Sequence, residues 1–150
     1  KYPAMGISAR SFFTEKDKQT IKLAVQQAEK NTSGEIRVHI ENHCKGDPVF
    51  RAAVVFEKLG MAATKARNGV LFYLAVKDKK FAIIGDEGID SKVPPGFWEE
   101  MKSLMIAHFR EGKFCEGLSE GIILAGSELG RFFPYKRDDI NELPDDISFD

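Results

Sequence analysis

The chain has 150 residues, of which 43% are hydrophobic and 30% charged, with a formal net charge of -1. That length and composition suit one soluble globular domain with its own core. The near-neutral charge argues against a nucleic-acid surface, which needs clustered Lys and Arg. Two cysteines, Cys44 and Cys115, have no CxxC or Cys/His spacing, so free thiols in a reducing compartment are expected. The longest apolar run, Val70 to Val76, is too short for a membrane span, and a soluble cytoplasmic protein is the default.

Residues 1 to 10 show neither helical nor strand periodicity and read as a frayed or cloning-derived end. Thr14, with Asp17 three residues on, forms a capping box after Phe13. Ile21, Ala24, Val25 and Ala28 continue an apolar face that stops at Asn31 to Gly34. Glu35 to Glu41 alternates strictly and predicts a strand with one apolar face. Asp47-Pro48 opens a second helix, with Val49, Ala52, Ala53, Phe56, Leu59 and Gly60 as its buried stripe. Val70 to Val76 and Lys80 to Ile84 are buried strands, joined by the hairpin turn Lys77-Asp78-Lys79.

Pro94-Pro95 is expected to begin a third helix, with Phe97, Met101, Leu104, Met105 and His108 on one face and Gly112 at its end. A fourth helix should run from Phe114 to about Phe132. Its Gly117, Gly121, Gly126 and Gly130 cost helix stability and so point to close approach of a neighbour. The segment from Asp138 to Asp150 is acidic. It is either solvated or tethered through Ile140, Leu143, Ile147 and Phe149. The expected organisation is a terminus of residues 1–10, a domain of residues 11–135 and an acidic segment of residues 136–150. The element order points to a three-layer α/β/α sandwich around a small mixed central sheet.

Topology gathers the candidate site. A helical crossover makes the first two strands parallel, and a tight hairpin makes the next antiparallel. Glu35, Arg67, Asn68, Asp86, Glu87 and Asp90 then share one rim, with Asp47 and Asp78 marking the opposite one. Carboxylates, an amide and glycine-freed carbonyls suit a hard cation, Ca²⁺ or Mg²⁺. The plainer reading of Gly85-Asp86-Glu87-Gly88 is a glycine turn with solvated acids.

Other constellations carry less. His39, Glu41 and His43 project to one side of a strand as transition-metal donors or simply as its polar side. A Cys-x₅-Arg phosphate cradle is missing, since six residues separate Cys44 from Arg51. His108 reads as a satisfied core histidine, and Trp98 beside Phe97 as packing. Nothing supplies a nucleophile.

The segments TSGEIRVHIE, RNGVLFYLAV, FAIIGDEGI and FPYKRDDINELPDDISF together resemble the TPM domain over about residues 11 to 150. The resemblance implies an α/β/α fold, and it implies calcium binding and acid phosphatase activity as possibilities. The family's Asn-Gly and Gly-x-Gly features correspond to Asn68-Gly69 and to Gly85-Asp86-Glu87-Gly88, the latter wider by one residue. The rim itself points to a divalent-cation-binding domain, with Asp86 and Glu35 as chief ligands and Asn68, Glu87 and Asp90 beside them. Metal-assisted phosphomonoester hydrolysis is possible, with Arg67 meeting the anionic substrate. The alternative is a non-enzymatic accessory module whose metal is structural or that binds a protein partner. Many family members carry a signal sequence, a membrane helix and a glycine-rich tail, none of which is seen in this sequence.

Overall fold

The computed structural model describes residues 8–136 and 141–150. Its helices are α1 (Ala9–Phe12), α2 (Glu15–Glu29), α3 (Pro48–Lys58), α4 (Glu87–Asp90), α5 (Glu99–Arg110) and α6 (Phe114–Leu129). Its strands are β1 (Glu35–Glu41), β2 (Gly69–Ala75), β3 (Lys80–Gly85) and β4 (Ser148–Phe149), in the sheet order β3-β2-β1-β4. β1 runs parallel to β2 and β4, and β2 antiparallel to β3, so the sheet is mixed.

Period-two alternation sorts the strand side chains to two cores. Ile36, Val38 and Ile40 join Val70, Phe72, Leu74 and Ile83 beneath α2, α5 and α6. Leu71, Tyr73, Ala75 and Ala82 face the other way, against Ala52, Val55 and Phe56 of α3. The result is the three-layer arrangement. β2 lies at its centre and is buried along its whole length.

The capping box that starts α2 is present in both directions: the Asp17 amide donates to Thr14 Oγ1 at 3.0 Å, and the Thr14 amide to Asp17 Oδ2 at 3.4 Å. The α6 glycines do mark close approach. A Cβ on Gly126 would lie 2.7 Å from the Ala28 Cα of α2.

Four expectations change. Residues 8 to 10 are not frayed: Ser8 and Ser11 cap each other and start α1, a single turn too short to leave a periodic signal. Residues 1–7, and Ile140 in the acidic segment, lie outside the described residues. In α3, Val49 and Ala53 are exposed, and the buried stripe is Ala52, Val55 and Phe56. The third long helix begins at Glu99 rather than at Pro94-Pro95. Pro95 disfavours a helical conformation at Pro94, and Gly96 takes a left-handed φ of 77°, so residues 94–98 form turns instead. Finally, α6 stops at Leu129, three residues short of Phe132.

The acidic segment is tethered. Leu143 is buried against the α3-side core, Ile147 and Phe149 pack against the other core, and Ser148 and Phe149 pair with His39 and Ile40. Among the described residues, no helix is long and apolar enough to cross a membrane.

Candidate functional site

The strand register places Glu35 opposite Gly69 and Val70 opposite Gly85, so the ends named in the sequence share one rim. Within that rim the acids divide into two groups. Arg67, held at a left-handed φ of 51°, makes a bidentate pair with Asp86: Nε to Oδ2 at 2.7 Å and Nη2 to Oδ1 at 2.9 Å. Its Nη1 donates to Glu87 Oε1 at 2.9 Å. Asp86 Oδ1 also accepts the Glu87 amide at 2.8 Å and so caps α4.

Gly88 makes this turn possible, because a Cβ there would lie 2.4 Å from the Ala66 carbonyl oxygen. Asn68 donates from Nδ2 to the Ser33 carbonyl at 3.2 Å, which ties the start of β2 to the start of β1. Asp90 is exposed at the end of α4.

Glu35 belongs to the second group. It is buried, and its two oxygens accept the backbone amides of Glu142 and Leu143 at 2.9 and 2.7 Å. Nearby, Glu29 accepts the Ile36 amide at 2.9 Å. Glu29, Glu35, Asp145 and Asn141, with Thr32, Ser33 and Lys30, line a pocket of about 230 Å³. Burial pushes the Glu29 carboxyl up to about 9, and Asp145 beside it adds to the shift. Burial likewise raises Glu35 to about 7, against the lowering effect of the two tail amides.

The opposite rim holds a larger open cleft of about 550 Å³, outside the carboxyl end of β1. That is where open α/β sheets usually bind ligands. Asp47 caps α3 there through the Val49 amide at 2.9 Å. Asp78 holds the preceding loop, accepting the Cys44 amide at 2.7 Å and facing His43 Nδ1 at 3.2 Å. His43 is thereby separated from His39 and Glu41.

Glu41 is buried beside this cleft and accepts from Tyr73, from His39 Nε2 at 3.2 Å, and twice from Arg51 at 2.8 Å. Burial favours its neutral form, but the hydrogen bonds from Arg51, Tyr73 and His39 prevail and hold its pKa at about 2. His39 is pushed down by burial and stays neutral, donating from Nε2 to Glu41 and accepting from the Ser148 hydroxyl at 3.0 Å.

Among the described residues, His39, Glu41 and Asp150 are the group whose metal-capable atoms lie within 4.8 Å of one another. That constellation does not fit a cation, because the Arg51 guanidinium already supplies its positive charge and Tyr73 takes another lone pair. The Asp86 carboxylate is matched by Arg67 in the same way. Glu29, Glu35 and Asp145 line one pocket, but among the described residues their oxygens are not drawn within 4.8 Å of one another as the His39, Glu41 and Asp150 group is. The pocket's carboxyls offer oxygen ligands beside Lys30, and each Glu35 oxygen keeps a further lone pair. Sequence spacing brings Glu35 to this rim but carries no signal for Glu29 or Asp145. Glu29 sits on the polar side of a helical pattern, and Asp145 lies in a segment without periodicity.

The fold and this double-rimmed sheet define a small α/β domain with polar groups at both strand ends. A family model described as the TPM domain matches residues 8–127, and the chain belongs to that family. Among solved structures, the BA42 protein of the psychrophilic bacterium Bizionia argentinensis is similar at 47% identity. The match covers 93% of this chain and 96% of that one, with a TM-score of 0.88. The N-terminal domain of a protein from P. gingivalis shares the fold at 21% identity. There the coverage is 81% of this chain and 78% of that one, with a TM-score of 0.66. An N-terminal domain from Corynebacterium glutamicum does so at 12% identity, covering 91% and 80%, with a TM-score of 0.60. No curated protein matches the chain.

Proposed function

We propose that this TPM domain binds a divalent cation, Ca²⁺ in preference to Mg²⁺, in the pocket of Glu29, Glu35 and Asp145. The observation that carries the reading is that Glu29, Glu35 and Asp145 line one pocket, with both Glu35 oxygens oriented by the Glu142 and Leu143 amides. Burial raises the Glu29 and Glu35 carboxyls in keeping with it. Carboxyls so placed are neutralised either by protons or by a cation, and an all-oxygen donor set selects a hard one. Asn141 and the Thr32 and Ser33 hydroxyls supply further oxygens at the pocket wall. A larger, more adaptable ion suits donors that come from a helix end, a strand start and the tail.

Binding is favoured over phosphomonoester hydrolysis. The Cys44 thiol donates to the Gly46 carbonyl at 3.6 Å, and burial raises the Cys115 thiol, so neither is an activated nucleophile. Arg67, the residue expected to meet an anionic substrate, spends Nε, Nη1 and Nη2 on Asp86 and Glu87.

Thermal melts at pH 7.5 with Ca²⁺, Mg²⁺ or EDTA test the proposal, since a ligand of the folded state raises the midpoint. A rise with Ca²⁺ that disappears in Glu29→Gln and survives in Asp86→Ala is expected. If Asp86→Ala abolishes the rise while Glu29→Gln keeps it, the ion belongs with Asp86, Asn68, Glu87 and Asp90 instead. No rise in the unaltered protein removes the cation altogether.

A further inference from the structure

The outer edge of β1 is occupied by a piece of the chain's own acidic segment, and each side chain of that piece meets a fitted partner. Ser148 and Phe149 run parallel to His39 and Ile40, and the Asp150 amide donates to the Ile40 carbonyl at 3.2 Å. The Ser148 hydroxyl meets His39 Nδ1 at 3.0 Å. The Phe149 ring lies near two cations, with Arg10 Cζ at 5.2 Å and Lys18 Nζ at 5.3 Å from its centroid. The Asp150 carboxylate sits on Arg51 Nη2 at 2.9 Å and Lys58 Nζ at 3.3 Å, and Asp146 sits on Lys22 at 2.9 Å.

These receptor groups come from α1, α2 and α3, three separate elements that converge on one strand edge. Arg51 is fixed in place by its two bonds to buried Glu41. The bound strand itself is only two residues long and lies beyond residues 8–127, which the family model matches. A two-residue pairing is marginal without the side-chain contacts around it.

We infer that the β1 edge is a strand-docking site for an extended acidic peptide, with an aromatic residue directly before an acidic one, and that residues 148–150 occupy it in cis. Main-chain bonds to Ile40 give affinity, and the cations on either side select sequence, as in other strand-addition sites. The tail acts as a tethered competitor, so the apparent affinity for an outside peptide falls with the fraction of time the edge is covered. This site lies on a different edge from the cation pocket and uses none of its side chains.

The test uses the full chain and a fluorescent peptide of the sequence DISFD, read by anisotropy. In the double variant Phe149→Ala/Asp150→Asn, which removes the docked ring and carboxylate, the peptide should bind at least tenfold tighter than to the unaltered protein. A peptide with its acidic residues replaced by lysine should not bind. Adding Lys58→Gln to the double variant should weaken binding severalfold, and the amides of His39 to Glu41 should shift in NMR spectra. Equal affinity of the unaltered and double-variant chains, or equal binding of the lysine peptide, would overturn the inference. Retained cation-dependent melting in the double variant would separate such a failure from one of the metal pocket.

Discussion

Glu41 shows how one buried carboxylate is kept charged. Four hydrogen bonds from three neighbours outweigh its desolvation, and the cost of removing it is the cost of stranding those donors. Glu41→Gln is expected to lower unfolding free energy by about 3 kcal/mol in urea titrations. Tyr73→Phe, which removes one donor, should cost about 1 kcal/mol. The pH dependence follows from the direction of the shift. With a folded pKa near 2 against 4.5, Glu41 contributes stability above pH 4.5 that is lost as pH falls through 2. Acid unfolding of Glu41→Gln should therefore lose that component between pH 4.5 and 2, as circular dichroism would report.

At this scale the shared rim is legible in the sequence, but its ion pairs are not. Glu35 and Asp86 were identified because alternation and a glycine turn mark strand ends. That Arg67 would take both Asp86 oxygens was not legible. A guanidinium pairing depends on backbone placement at residue 67, where no periodic pattern speaks.

Among the elements, α2 and α6 approach closely because Gly126 admits the Ala28 backbone. Gly126→Ala gains about 1 kcal/mol of helix propensity, yet its Cβ would meet the Ala28 Cα at 2.7 Å. Backbone cannot yield as a side chain does, so a net loss of about 1–3 kcal/mol is expected. Gly121→Ala makes a useful contrast, since its Cβ meets the Met105 Cγ and Sδ at 2.7 Å, part of a flexible side chain. Its loss should be distinctly smaller, and chemical denaturation of the two variants side by side measures the difference. The four glycines announced close packing in the sequence, but not which neighbour each would meet. Similarly, α3 was placed correctly from Asp47-Pro48, while its rotation was not. Val49 and Ala53 fit an apolar stripe as well as Val55 does until a sheet selects one face.

For the whole molecule, stability should respond to pH in opposite senses at the two rims. The raised Glu29 carboxyl contributes stability that is fully present below pH 4.5 and declines as pH rises through about 9. Glu29→Gln should flatten the stability profile across that range. In the unaltered protein, added Ca²⁺ should do the same if the pocket holds the ion. Melting midpoints measured every half pH unit, with and without Ca²⁺, would separate the proton effect from the cation effect.

The amino-acid sequence by itself determined the class of fold, most element positions and the parallel-then-antiparallel order of the three long strands. Those features rest on local periodicity, capping chemistry and loop lengths, which act between near neighbours. Only the tertiary structure decided which acids meet a cation in the form of arginine and which meet one another, and where the acidic segment lands. Such choices depend on contacts such as Glu35 with Leu143 and Arg51 with Asp150, across separations of 108 and 99 residues. Electrostatic partnership is set by distance in space and by burial, and neither quantity is written in sequence spacing.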